Sequence, residues 1–196
     1  MTTAPKTSAT RGDKRDQILA AALELFAERG FHGTAVPLVA EKAGVGAGTI
    51  YRYFESKEAL VNELYRHWKG AFVAYALEGF PQSSPPREQF RWFFHRIVTF
   101  ACEHREAFRF LEMHHHQAYL DARSKDLEQR SLALVLGFIA QTHAMQVTKA
   151  VDPWVLVSAV WGPIVHLLKL TDAGFVGLTE SVIEQAEKVC WEAIRA

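Results

Sequence analysis

Residues 43–57, AGVGAGTIYRYFESK, gather side chains suited to holding a polyanion. Three glycines, Gly44, Gly46 and Gly48, stand among small residues, and Tyr51, Arg52, Tyr53 and Phe54 then fill consecutive positions. A buried helix has no use for Arg52, and a solvated face has no use for the aromatics. If a helix starts near Gly46, then Gly46, Ala47 and Gly48 keep its N-terminus small, and its free N–H groups can approach phosphate oxygens. Thr49 and Tyr51 supply hydroxyls that can donate to phosphates or bases, and Arg52 suits a guanine edge or a phosphate. Tyr53 should lie near the phosphate backbone, and Lys57 adds a positive charge at the start of the next helix. Ile50 and Phe54, four residues apart, should face inward and fasten the helix. Taken singly, each residue also reads as ordinary core or solvated surface. The combination decides between the readings, and it depends on the elements that would hold it.

Those elements are legible as helices. Over residues 14–29, Ile18, Ala21, Ala22, Leu25 and Phe26 recur at the helical spacing. Asp13 is placed to cap this helix and Gly30 to stop it. Thr34 is placed to cap a second helix with Pro37 in its first turn, where proline is tolerated, and Gly44 ends that helix. Gly46 to Tyr53 form a third short helix, and Ser56 caps a fourth that runs toward Phe80. Two short helices joined by a Gly-Val-Gly turn make a helix-turn-helix, whose second helix lies in the DNA major groove. Residues 1–13 are polar, rich in threonine and without periodicity, which reads as a disordered arm.

The stretch RDQILAAALELFAERGFHGTAVPLVAEKAGVGAGTIYRYFESKEALVNELY resembles the DNA-binding domain of the tetracycline-repressor (TetR) family of bacterial transcriptional regulators. The resemblance covers residues 14–65 without a gap. It implies that Thr34, Thr49, Tyr51, Tyr53 and Lys57 fall where family members contact DNA, with the recognition motif at about residues 35–54. Gly46 stands where a capping serine is frequent, and Pro37 where a polar or charged residue is frequent. The expected fold is all-α: an N-terminal three-helix DNA-binding domain over residues 14–58 and a C-terminal helical bundle over 59–196. The expected DNA contacts are Thr34, Ala47, Gly48, Thr49, Tyr51, Arg52, Tyr53 and Lys57, and the expected nucleic-acid partner is a double-stranded, near-palindromic operator.

The rest of the chain also reads as helical, over about residues 88–104, 107–115, 124–145, 153–170 and 179–195, with a linker at 79–87. The helix from Pro153 should bend at Gly162-Pro163. It is apolar on nearly all sides and needs partners on all sides. The last helix carries a stripe from which Val182, Ile183, Ala186, Val189 and Ile194 are the expected homodimer interface. Two helices from each subunit would make a four-helix contact, and a two-fold dimer would read two half-sites about one turn of duplex apart. The resemblance implies that this half also holds a small-molecule effector. The aromatic-rich runs at residues 90–100 and 108–120 supply candidate pocket walls, Trp92, Phe94, Phe108, Met113, Tyr119, Trp154 and Trp161, which suit an apolar or aromatic ligand.

Composition narrows the function. The 196 residues are 49% hydrophobic with zero formal net charge, enough for a real core and no global basic coat. Residues 1–57 hold 8 Lys+Arg against 6 Asp+Glu, a balance of +2, and the remainder balances it at −2. Cys102 and Cys190 form no disulfide framework or zinc pattern, which fits a reducing cytoplasm. No apolar core follows Met1, so no signal peptide is expected, and the apolar stretch at 154–170 reads as too interrupted for a membrane span. His114, His115 and His116 cannot chelate one ion from a regular helix, because neighbours point about 100° apart, so no metal and no cofactor are expected. With no nucleophile elbow, phosphate loop or HExxH, the expectation is a regulator and not an enzyme. An architectural protein that keeps the helix-turn-helix without an effector is the alternative.

Overall fold

The computed structural model describes residues 11–112 and 118–196. Within them the chain forms α1 (Arg11–Gly33), α2 (Val36–Lys42), α3 (Ala47–Tyr53), α4 (Lys57–Leu77), α5 (Pro86–Glu103), α6 (Arg105–Glu112), α7 (Ala122–Ala144), α8 (Pro153–Asp172) and α9 (Glu180–Ile194). The fold is all-α among the described residues. The one departure is an isolated antiparallel bridge, Thr148 with Arg195, which ties the α7–α8 connection to the last residues.

α1 forms because its apolar positions share one face: Ile18, Ala21, Ala22, Leu25 and Phe26 are all buried. Burying a side chain the size of Ile18 or Phe26 contributes about 1.5–3 kcal/mol. Gly30 interrupts the helix with φ of 69°, a conformation that glycine adopts without a Cβ penalty. The helix begins at Arg11, so Arg11–Asp13 belong to α1 and not to the arm expected over residues 1–13, and Asp13 lies within the helix and not ahead of it as a cap. α1 packs on α6, where the rings of Phe26 and Phe110 lie 6.3 Å apart. This places α6 directly behind the N-terminal helices, in one continuous core.

α4 links the two parts. Ser56 caps it, accepting from the Ala59 N–H at 3.1 Å. α5 starts two residues earlier than the spacing suggested, at Pro86, and Asp121 caps α7 by accepting from the Ser124 N–H at 2.8 Å. α5 and α9 are zipped by charge: Arg87 pairs with the buried Glu187, Arg91 with Glu184 at 3.5 Å, and His95 lies 4.0 Å from Glu180. α8 runs through Pro163 as a single element. Only Leu156 and Ile164 of its residues are fully buried within the single chain. By length and composition alone its 20 residues could cross a membrane, with mean hydropathy 1.4.

Candidate nucleic-acid interface and effector region

The turn between α2 and α3 is set by Gly44 at φ 64°. The Val45 N–H donates to the Ala40 carbonyl at 2.9 Å and the Gly44 N–H to the Glu41 carbonyl at 3.1 Å, which closes the end of α2. Gly46 then caps α3 in extended conformation. Ile50 and Phe54 are 1% and 5% exposed, so they fasten α3 to the core while Tyr51, 54% exposed, and Arg52 face outward. A Cβ added at Gly46 or Gly48 would meet nothing within 4 Å. Their small size therefore answers no need of the protein's own packing and leaves this end open to close approach from outside. Thr49, Ala47 and Tyr53 are half-buried, Ala47 and Tyr53 against the core.

Thr34 differs from its expected role. It is fully buried, and its hydroxyl donates to the Leu25 carbonyl at 3.1 Å and the Gly30 carbonyl at 2.9 Å. The N-cap of α2 is Ala35, with no side-chain cap. The Thr34 side chain holds the α1–α2 corner together and presents no free hydroxyl to DNA. The Lys57 ammonium lies 4.1 Å over the Phe31 ring, which also stacks on Tyr119 at 4.1 Å. Asn62 anchors the same junction: its amide donates to the Tyr119 carbonyl at 2.8 Å and its carbonyl accepts from the Asp121 N–H at 2.8 Å. Tyr119 and Asp121, just ahead of α7, are thus pinned to α4, and Tyr119 is stacked against α1.

Of the described candidate pocket walls, Phe108 and Trp161 lie together, with their rings 6.1 Å apart, and the others are spread through the fold. Phe94 and Phe108 are core, 1% and 3% exposed. Tyr119 sits at the interdomain junction, its phenol pushed up to about 12 by burial. Trp154 is half exposed at the start of α8. Trp92 packs against Gly79, with its indole nitrogen buried. Met113 and the histidines at 114–116 lie outside the described residues. The aromatic pattern shows where apolar mass lies but not which ring faces a neighbour, so it could not separate wall from core. Of these residues only Phe108 lines the small crevice of about 20 Å³ formed with Ala101, Arg105, Arg109, Leu168 and Asp172.

Trp161 belongs to a cluster that residue type alone did not reveal. Its indole N–H donates to Glu112 at 2.7 Å. The Lys69 ammonium meets Glu128 at 2.9 Å, and the buried Tyr65 hydroxyl donates to the same carboxylate. Burial, reinforced by Glu128, pushes the Tyr65 phenol far above its ordinary range. Burial also raises the Glu112 carboxyl, with Lys69 and the Trp161 N–H opposing. α4, α6, α7 and α8 each contribute to this cluster. Tyr65 and Lys69 stand four apart on α4, the only hint in the sequence that they share a face.

The expected dimer stripe divides. Ile194 is 5% exposed and packed into its own subunit, so it is removed from the interface. Ile183 and Ala186 are half-buried against the core, Val182 is half-buried, and Val189 is 66% exposed. Trp154 and Val155 on α8, 50% and 57% exposed, add to the uncovered apolar surface.

Residues 18–64 match the family model described as bacterial regulatory proteins, tetR family, and residues 71–196 match that of the tetracyclin repressor-like C-terminal domain. The fatty acid metabolism regulator protein of Bacillus subtilis is 37% identical over 73 residues, 37% of this chain and 38% of that protein. The HTH-type transcriptional repressor KstR2 of Mycolicibacterium smegmatis is 32% identical over 105 residues, 53% of this chain and 50% of that one. The matches thus span half or less of these relatives' own lengths. Agreement over the whole fold comes from the crystal structure of a TetR family transcription regulator from Marinobacter aquaeolei VT8. It is 27% identical, with a TM-score of 0.82 over 94% of this chain and 96% of that one. With both its N-terminal and C-terminal parts matched, this chain belongs to the TetR family of bacterial regulatory proteins.

Proposed function

We propose that this protein is a homodimeric, sequence-specific DNA-binding transcriptional regulator of the cytoplasm, a repressor released from a near-palindromic operator by a small-molecule effector. The observation that carries the reading is α3, which buries Ile50 and Phe54 while turning Tyr51 and Arg52 to solvent beside the open Gly46 and Gly48. Such a helix inserts into a major groove and leaves the fold intact. Thr49, Tyr53 and Lys57 flank it, and Ala47 and Gly48 bring backbone N–H groups within reach of phosphate. The relative KstR2 is a transcriptional repressor, which supports the same sign of control here.

Dimerisation follows from the uncovered apolar surface of α8 and α9, because an apolar helix face left in water needs a partner. Effector action is a shift between two subunit geometries, only one of which fits successive grooves. Release requires unequal affinity of the effector for the two states.

The test is binding to DNA selected from a random-sequence pool, followed across a salt series. A dimer anchored on about six phosphates loses about 10³-fold in affinity between 50 and 200 mM salt. The paired substitution Tyr51→Ala with Arg52→Ala should abolish specific binding while circular dichroism stays unchanged. Specific binding that survives it would assign recognition to another element.

A further inference from the structure

Four charged side chains make a line of shared contacts between the start of α7 and the end of α3. The Asp121 carboxylate, which caps α7, also accepts from Arg66 at 2.8 Å, and the same Arg66 nitrogen reaches the Ser124 hydroxyl at 3.0 Å. Arg66 therefore grips both residues of the α7 cap. Its other terminal nitrogen lies 3.4 Å from one oxygen of Glu63. The second Glu63 oxygen accepts from Arg15 at 2.5 Å. Arg15 in turn lies over the Phe54 ring, its guanidinium carbon 5.6 Å from the centroid. Phe54 is the C-cap of α3, and its buried ring is one of the two side chains that fasten that helix. The line thus runs from α7 through α4 and α1 to α3.

Arg15, Glu63 and Arg66 are half-buried, and Asp121 is exposed. Ion pairs open to water contribute little to stability one by one, so stability does not account for the line. Its particular feature is competition. Arg66 divides itself between Asp121 and Glu63, and Glu63 divides itself between Arg66 and Arg15. Burial pushes the Glu63 carboxyl up, but Arg15 and Arg66 outweigh it and hold the group below its ordinary range. Glu63 therefore stays ionised at neutral pH and pairs with whichever guanidinium comes closer. With Asp121 in place, Arg66 stands off at 3.4 Å and Arg15 keeps the carboxylate. Without Asp121, the Arg66 guanidinium is free to turn its two parallel donors onto the two Glu63 oxygens. Arg15 then loses the partner that holds it over Phe54.

We propose that Asp121, Arg66, Glu63 and Arg15 are positioning residues for DNA recognition: the seated α7 cap holds Arg66 off Glu63, which leaves Arg15 to brace the end of α3. This rests on the reading of α3 as the helix that enters the groove. A shift in the first turn of α7 loosens α3 through these contacts, and none of the four residues has to touch DNA.

Asp121→Asn keeps a capping oxygen and removes the charge. It should lower affinity for the selected DNA about fivefold or more, although Asp121 lies outside the helix-turn-helix. Hydrogen exchange read by mass spectrometry, on the full chain without DNA, should quicken over residues 47–54 and stay unchanged in α5 and α9. Arg66→Met removes the competitor and leaves Glu63 to Arg15. It should keep the parent's DNA affinity, and Asp121→Asn added to it should cost nothing further. Such non-additivity marks residues that act through one another. If Arg66→Met fails to fold, Arg15→Met takes its place: it should itself quicken exchange over residues 47–54, and Asp121→Asn should add nothing to it.

The inference is overturned by parental DNA affinity in Asp121→Asn, by unchanged exchange over residues 47–54, by exchange that rises across the whole chain, or by an undiminished loss in the second background. If the parent itself selects no DNA, the reading of α3 falls, and the exchange over residues 47–54 still decides the relay.

Discussion

Thr34 shares its hydroxyl proton between the Leu25 and Gly30 carbonyls at the corner where α1 turns into α2. Thr34→Val keeps the volume and removes both bonds, leaving buried carbonyls short of a donor. It should lower the unfolding free energy by about 1–2 kcal/mol in urea titrations, and an unchanged midpoint would show that the corner holds without it. Glu112 makes a prediction in pH. Burial holds its folded carboxyl above the ordinary 4.5, so the folded chain keeps this proton to higher pH than the unfolded chain. Its contribution is therefore most favourable below that value and is lost as pH rises through the folded one. Glu112→Gln should match the parent's melting temperature near pH ~4 and exceed it near pH ~7.5; a constant difference would mean that the charge carries no cost. Neither role follows from residue type. Threonine before a helix reads as a cap, and a glutamate beside aromatics reads as surface until its neighbours on other helices are known.

At the scale of the element, the α2–α3 turn is the feature the helix-turn-helix depends on. Gly44 has φ of 64°, and a Cβ there would meet nothing within 4 Å, so alanine costs only backbone conformation. Gly44→Ala should destabilise the chain by about 1–2 kcal/mol and weaken DNA binding more than its stability loss predicts, because α3 loses its angle. Denaturation and DNA titration of the same sample measure both; an equal loss in the two would assign the glycine to stability alone. This turn was readable in the sequence because its determinants are local: a glycine that accepts left-handed backbone and the apolar Val45 beside it, packed against the core. The charged zipper between α5 and α9 was not readable, because Arg87 and Glu187 are a hundred residues apart and only the fold makes them neighbours.

At the scale of the whole molecule, α8 and α9 face two ways. Ile164, Cys190, Trp191 and Ile194 close the subunit's own core, while Trp154, Val155 and Val189 stay in water. Val189 is 66% exposed, so Val189→Glu removes little from the monomer fold. It should shift the protein from dimer to monomer at micromolar concentration in light scattering, with helicity retained and DNA affinity reduced. A dimer that persists would place the interface on another face. The apolar stripe on α9 shows both uses in one repeat, since Ile194 points into the core and Val189 away from it.

By itself the sequence determined the helical class, the helix ends marked by Ser56 and Thr179, the inward Ile50 and Phe54, and the outward Tyr51 and Arg52. Each depends on periodicity or on a cap within a few residues, and such short-range constraints survive in any helical packing. Tertiary structure alone decided that Thr34 turns inward, that Tyr119 stacks on Phe31, that Phe94 and Phe108 are core, and that Ile194 belongs to its own subunit. It also brought Lys69, Glu112, Glu128 and Trp161 together from four helices. An apolar or charged side chain states what surroundings it needs, but only the packing of distant helices decides which neighbour meets that need.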